Sequence, residues 1–374
     1  MFYAYAYCPN IKNAVFGPNV INVRGAYCGT GIIEPIIPNS TNDISFLYEN
    51  CKYMINSNCG DNITKMYETY RNCTNLTTAV CGPNVVSMGG TYAGCTNLTT
   101  AVCGPNVTFM GGAYDSCTNL TTAVCGNSVT EMNQYYMGTS GAYSNCTNLT
   151  TAVCGPNVVN FSFAYSWCTN LTTAVCGPNV VNMSDAYLGC SSLTDAVTGP
   201  SVQQMDNTYK SCTNLINGIL APPTVSFHET YGGCINLTNV IIENGVKTIG
   251  GYTFQNCTNL THLEFPKTVT SIGYGVFRNC CNLQTYDFSK HDVVPSIQYD
   301  TFKNTSNTSQ IIVPAKLYTE WKNTGSWTQV ADRIVISNDL YVDYSSINKN
   351  KYDIDIANPR IFSLIIFNKT DNTI

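Results

Sequence analysis

The chain has few charges. Only 11% of its 374 residues are Asp, Glu, Lys or Arg, against roughly a quarter in ordinary globular proteins. No Lys or Arg occurs between Arg71 and Lys210. A surface without cations over that span cannot neutralise phosphates, which argues against nucleic-acid binding through it. Carboxylates are as sparse. Between Asn72 and Tyr209 only Asp115, Glu131, Asp185, Asp195 and Asp206 occur, and none recurs at a fixed position of the sequence pattern. No pair of acids can then be assigned to acid–base chemistry. The three histidines (His228, His262, His291) lie apart, and there is no CxxC pair. Zinc, other metals and cofactors are therefore not expected. No Gly-rich loop leads from a strand into a helix, and no Ser or Cys has a His beside it. The reading is non-catalytic. No apolar run approaches the roughly 18 residues that span a bilayer, so membrane insertion is not expected. The start, MFYAYAYCPN, has no basic segment followed by an apolar one. It reads either as a fragment or as a protein exported without a cleaved signal.

What is present is repetition. The ten residues CTNLTTAVCG begin at Cys73, Cys95, Cys117, Cys146 and Cys168. Anchored on that first Cys, fourteen units run from Cys8 to Thr305, mostly 22 residues apart and 29 once, between Cys117 and Cys146. Such a period belongs to a leucine-rich-repeat-like solenoid, which grows by stacking rather than by closing a core. Three residues past the anchor stand Leu76, Leu98, Leu120 and their equivalents; three before it stand Tyr70, Tyr92, Tyr114 and, later, Phe254 and Phe277. Seven before it stand Met66, Met88 and Met110. One coil per unit would bury each column as a continuous ladder.

The cysteines allow three readings: metal ligands, disulfides or rungs of the core. The second cysteine of each unit (Cys59, Cys81, Cys103, Cys125, Cys154, Cys176) gives way elsewhere to Phe16, Leu220, Ile242, Phe265 and Phe288. A position that accepts Cys, Leu, Ile and Phe is an apolar slot, and free Cys is a small hydrophobe. Reduced core thiols are the favoured reading, with disulfides between some neighbouring rungs as the alternative. The core ladder is accordingly assigned to Cys81, Cys103, Cys125, Cys154 and Cys176 with Leu76, Leu98 and Leu120. Thr77–Cys81 and its equivalents read as a short strand. Period two turns Ala79 and Cys81 inward and Thr78 and Val80 outward, and Gly82-Pro83-Asn84 turns the chain. The return segment MGGTYAGC is too short and Gly-rich for a long helix; a helical turn, a 3-10 turn or irregular coil is expected.

From Lys247 the sequence reads TIGGYTFQNCTNLTHLEFPKTVTSIGYGVFRNCCNL. This resembles the BspA-like leucine-rich repeat family, whose units run roughly I-G-x-x-A-F-x-x-C-x-x-L-x-x-V-x-I-P. The tail IIVPAKLYTEWKNTGSWTQVADRIV resembles the segment that closes such arrays, and the likeness covers about residues 8 to 335. The earlier units depart from the pattern, with Tyr for Phe, Cys for the strand Ile and Gly-Pro for Pro. They are similar to array variants of gut-bacterial surface proteins and of phage tail or fibre proteins. The resemblance implies a right-handed parallel β-array without catalysis, used for adhesion to host proteins, cells or receptors.

These readings divide the chain into a solenoid over 1–310, a cap over 311–338, and a β-rich tail or partial domain over 339–374. Trp321 and Trp327 read as rings that cover the last open coil; the alternative is a ligand-stacking pair. The insertion near 133–140, NQYYMGTS, carries Tyr135 and Tyr136 and is either a recognition tip or a tolerated slip in duplication. The Asn-x-Thr triplets follow from the repeated CTNLT and carry no separate information. The candidate binding surface is the outward ladder Thr78, Val80, Thr100, Val102, Thr122, Val124, Thr151, Val153, Thr173 and Val175. It is uncharged and suits a protein or glycan on a host or bacterial cell surface, although Thr and Val also simply favour strands. Two other readings stand beside adhesion. One is a spacer rod whose binding or assembly function lies in 339–374 or in a partner chain. The other is an intracellular scaffold, favoured by free thiols. An oligomer is compatible with all of them, and the missing signal leans the reading towards a virion fibre.

Overall fold

The structure, a computed structural model, describes residues 1–133 and 140–337. The insertion tip with Tyr135 and Tyr136 and the tail over 339–374 lie outside the described residues. Each unit forms one coil, and successive coils pair in parallel. One ladder of single bridges runs unbroken through Asp43, Lys65, Ser87, Phe109, Glu131, Asn160, Asn182, Gln204 and Ser226. It continues as β3 (Thr248–Ile249), β5 (Ser271–Ile272) and β7 (Ser296–Ile297), which form one parallel sheet. A second ladder carries the Thr78 column. It becomes β1 (Asn217–Leu220) paired with β2 (Asn239–Ile242), then the sheet β4 (His262–Glu264), β6 (Thr285–Asp287), β8 (Gln310–Val313) and β9 (Ile334–Ile336). An antiparallel bridge, Asn133 to Gly141, closes the base of the insertion.

The strand expected at Thr77–Cys81 is reduced to a single bridge at Thr78. The cause is a tyrosine. The Tyr92 hydroxyl accepts from the Val80 N–H at 3.0 Å and donates to the Val80 carbonyl at 2.6 Å. Tyr114 treats Val102 in the same way, Tyr165 treats Val153 and Tyr187 treats Val175. Backbone groups held by a side chain have no need of a neighbouring strand. From Phe254 the ring has no hydroxyl, and strands of three or four residues appear at β2, β4 and β6. At the boundary, β1 has both partners: Ile219 is held by Tyr231 while its strand pairs with β2.

The tyrosines themselves form a buried stack. From Tyr70 to Tyr231 neighbouring rings lie 5.2–6.0 Å apart and within 14° of parallel. Beside them run the buried leucines, including Leu76, Leu98 and Leu120, and the methionines Met66, Met88, Met110 and Met132. The anchor cysteines from Cys51 to Cys280 are fully buried. Each thiol donates to the carbonyl of the aromatic residue one coil back, as Cys95 does to Tyr70 at 3.1 Å and Cys117 to Tyr92 at 3.1 Å. They are polar links between coils as well as fillers.

The second cysteines are corrected by the structure. Cys81, Cys103, Cys125, Cys154 and Cys176 are half-buried and border the core rather than filling it. At the same position Leu220, Phe265 and Phe288 are fully buried. A thiol is too short to reach as deep, and it comes to lie beneath the glycine of the next coil: a Cβ added to Gly104 would stand 2.8 Å from Cys81 Sγ. All twenty cysteines are free thiols.

Each return bends through left-handed backbone twice. Positive φ recurs one residue before the anchor (Asn50, Asn72, Gly94, Ser116) and five before it (Phe46, Glu68, Gly90, Gly112). These are turns, as the composition of the return segment requires. At the far end, β8 and β9 extend the sheet into the segment expected to be only a cap, through Ile311 against Ile334. Between them lie α1 (Tyr318–Asn323) and a kinked 3-10 segment, Gly325–Arg333. They bring Trp321 and Trp327 over Phe288, with both indoles buried and 4.5 Å between the ring centres.

Candidate binding face

Inward pull at two points sets the outer face. Leu76 is drawn into the core, so Asn75 and Thr77 on either side of it face solvent. The Tyr92 hydroxyl then fixes the backbone at Val80, and Thr78 points out. Thr78, Thr100, Thr122, Thr151 and Thr173 are all exposed. Bridges join Asn56 to Thr78, Thr100 to Thr122 and Thr151 to Thr173. The structure therefore brings the five threonines into one column with a spacing of one coil. Val80, Val124 and Val153 are 38, 44 and 37% exposed. Val102 and Val175 are half-buried, so the valine column is less uniform than the alternation suggests.

Two exposed columns were not read from the sequence as part of this face. One is Thr77, Thr99, Thr121, Thr150 and Thr172; the other is Asn75, Asn97, Asn119, Asn148 and Asn170. The signal for both was the invariant CTNLT, in which an inward Leu leaves its neighbours outward. The Thr77-type hydroxyls donate back to the preceding coil, Thr121 to the Thr99 carbonyl at 3.2 Å and Thr172 to that of Thr150 at 3.1 Å. They stiffen the face, while the Thr78-type column keeps more of its hydroxyl capacity for a partner.

The column is uncharged from Asn56 to Thr173 and ends at Asp195. That carboxylate accepts from Asn217 Nδ2 at 2.5 Å and Thr194 Oγ1 at 2.7 Å. These bonds hold its pKa below the usual carboxylate value. Beyond it Asn239 donates to Asn217, and His262 Nδ1 meets Thr285 Oγ1 at 2.5 Å. Among the described residues no group of three or more His, Cys, Asp or Glu is placed to hold a metal, and no helix is long and apolar enough to cross a membrane. His291 is buried against Phe288 and Trp321, and burial pushes its pKa down.

Parallel coils of one repeat each, with an aromatic stack inside and a terminal cap, define a leucine-rich repeat solenoid. The chain belongs to the BspA type leucine rich repeat family, whose model, a region of six repeat copies, matches residues 23–150, 112–216 and 226–340. A leucine-rich repeat protein from Bacteroides ovatus has a similar solved structure: 18% identity, a TM-score of 0.61, and coverage of 90% of this chain and 93% of that one. A leucine rich cell surface protein from Faecalibacterium prausnitzii is similar over 78% of this chain and 79% of its own, at 16% identity and a TM-score of 0.41. A comparison with curated proteins finds no match.

Proposed function

We propose that the protein is a non-catalytic recognition protein displayed at a surface, either of a bacterial cell or of a phage fibre. It binds a host or bacterial cell-surface protein or glycan through the Thr/Val face. The observation that carries this reading is the run of five coils in which Thr78, Thr100, Thr122, Thr151 and Thr173 stand exposed in register beside Val80, Val124 and Val153. The backbone behind them is already satisfied by tyrosine hydroxyls. Such a face offers methyl and hydroxyl groups at fixed spacing, with no charge to desolvate on contact. Membership of a leucine-rich repeat family supports it, since stacked repeats create extended surfaces suited to binding.

The experiment is binding of the full chain to epithelial and bacterial cells, and to immobilised matrix proteins, with and without Thr100→Lys and Thr122→Lys. Lysines at these exposed positions leave the core untouched. The expected result is loss of binding in both variants with an unchanged melting curve. Binding that survives both lysines would move recognition away from this face.

A further inference from the structure

A polar cavity lies on another edge of the coil, in the return segments ahead of the anchor cysteines. Its floor is one coil in which the outward positions have lost their side chains: Gly90, Ala93 and Gly94. The preceding coil keeps all three side chains and the following coil keeps two, with Gly112 in the third place. Glu68, Arg71 and Asn72 form one wall and Asp115, Ser116 and Ser140 the other, around about 170 Å³. The gap is built in. Gly90 and Gly94 have φ of 60° and 73°, and a Cβ on them would stand 2.8 Å from Glu68 Cγ and 2.3 Å from Asn72 Oδ1. The same left-handed positions carry Glu68 and Asn72 in the preceding coil, so what excludes side chains at Gly90 and Gly94 is the space those two occupy.

The walls are pre-arranged. Glu68 is 2% exposed and accepts from Arg71 at 2.8 Å. Asn72 donates to Asn50 at 3.0 Å, and its Oδ1 lies over Gly94. Asp115 accepts from Ser140 at 3.1 Å, Asn145 at 3.0 Å and Ser116 at 3.2 Å. The floor's own backbone is used up in stacking: Asn72 N–H donates to the Ala93 carbonyl and Gly94 N–H to that of Asp115. Recognition therefore falls to the side chains. Glu68 is neutralised by Arg71, while Asp115 accepts only from neutral donors and keeps its charge. The notch presents lone pairs from Glu68, Asn72 and Asp115 next to remaining guanidinium N–H groups of Arg71. An amine would use only the acceptors and leave the Arg71 donors without a partner. A group bearing several hydroxyls, each able to donate and accept, uses both sets.

We propose that this notch is a binding site for a single uncharged sugar residue, separate from the Thr/Val face. The volume suits one ring rather than an oligosaccharide. The test is saturation-transfer NMR on the full chain with the methyl glycosides of glucose, galactose, mannose and N-acetylglucosamine, and with butylamine as a stand-in for a lysine side chain. At least one glycoside is expected to bind. Ala93→Leu, which fills the notch, and Arg71→Gln, which replaces the guanidinium fork by a shorter neutral amide, should each weaken that binding about tenfold or more. Thr122→Lys should leave it unchanged, so failure of the notch and failure of the sheet face are told apart. Should Ala93→Leu not fold, Arg71→Gln still decides. The proposal is overturned if no glycoside binds, if binding is indifferent to Arg71→Gln, or if butylamine binds in the notch in preference to every sugar.

Discussion

At the half-buried cysteines beside the core, burial acts on acidity. It pushes the thiols of Cys81, Cys125 and Cys176 from 9.0 up to about 12, and that of Cys154 to about 11. The folded state holds these protons more tightly than the unfolded chain does. Stability from these groups is therefore complete below pH 9 and declines as the pH rises from about 9 towards 12. The buried tyrosines Tyr70 and Tyr114, raised by burial well above 10.0, act in the same sense. Far-UV circular dichroism is expected to show loss of structure across that alkaline window, and a flat signal to pH 12 would contradict it. The thiols also predict a labelling pattern. Cys8 and Cys281 are exposed, so in native protein they should alkylate first. All twenty should alkylate once the chain is unfolded without reductant, as intact mass would show. A bridged population would remove the Sγ–carbonyl links seen at Cys95 and Cys117.

At the level of the coil, the tyrosine hydroxyl decides whether a strand forms. Tyr92→Phe keeps the ring stack with Tyr70 and Tyr114 but strands the Val80 N–H and carbonyl. Losing both bonds should cost about 1–3 kcal/mol, measurable by urea unfolding. Val80 should gain amide exchange in the same variant. Much of the coil was legible from the sequence, because Leu76, Tyr92 and Met88 recur at fixed offsets and periodicity places them inward. The strand at Thr77–Cys81 was misjudged for a physical reason. Alternation and β-propensity describe side chains, and nothing in them reveals that a tyrosine twelve residues on will take the backbone's hydrogen bonds. The depth of Cys81 was misjudged similarly. Substitution by Leu and Phe shows that a slot is apolar, but it does not show how far a shorter side chain reaches into it. The Thr column was readable since an exposed position in an identical repeat stays exposed. The notch at Gly90 was not, since it exists only where one coil's small residues meet its neighbours' long ones.

For the molecule as a whole, stacking makes the ends and the middle behave differently. The last coil is closed by Trp321 and Trp327, buried against Phe288 and Phe302. Trp327 Nε1 also donates to the Pro295 carbonyl at 2.7 Å. Trp327→Ala should therefore cost about 3–5 kcal/mol. In a stack where each coil leans on the next, melting should begin at that end and show as early amide exchange in β8 and β9. The middle is different. Coils anchored at Cys73 and Cys95 make the same tyrosine, thiol and leucine contacts as those that follow. Deleting residues 73–116 removes two whole units and should rejoin equivalent positions with the fold intact. The two readings of the array then diverge. A spacer rod loses only reach, so its partner binds as before. A recognition face loses Thr78 and Thr100 with their neighbours, and affinity should fall while the melting curve stays cooperative. Surface binding measured on the shortened and full-length chains side by side separates them: unchanged affinity would assign the array to spacing.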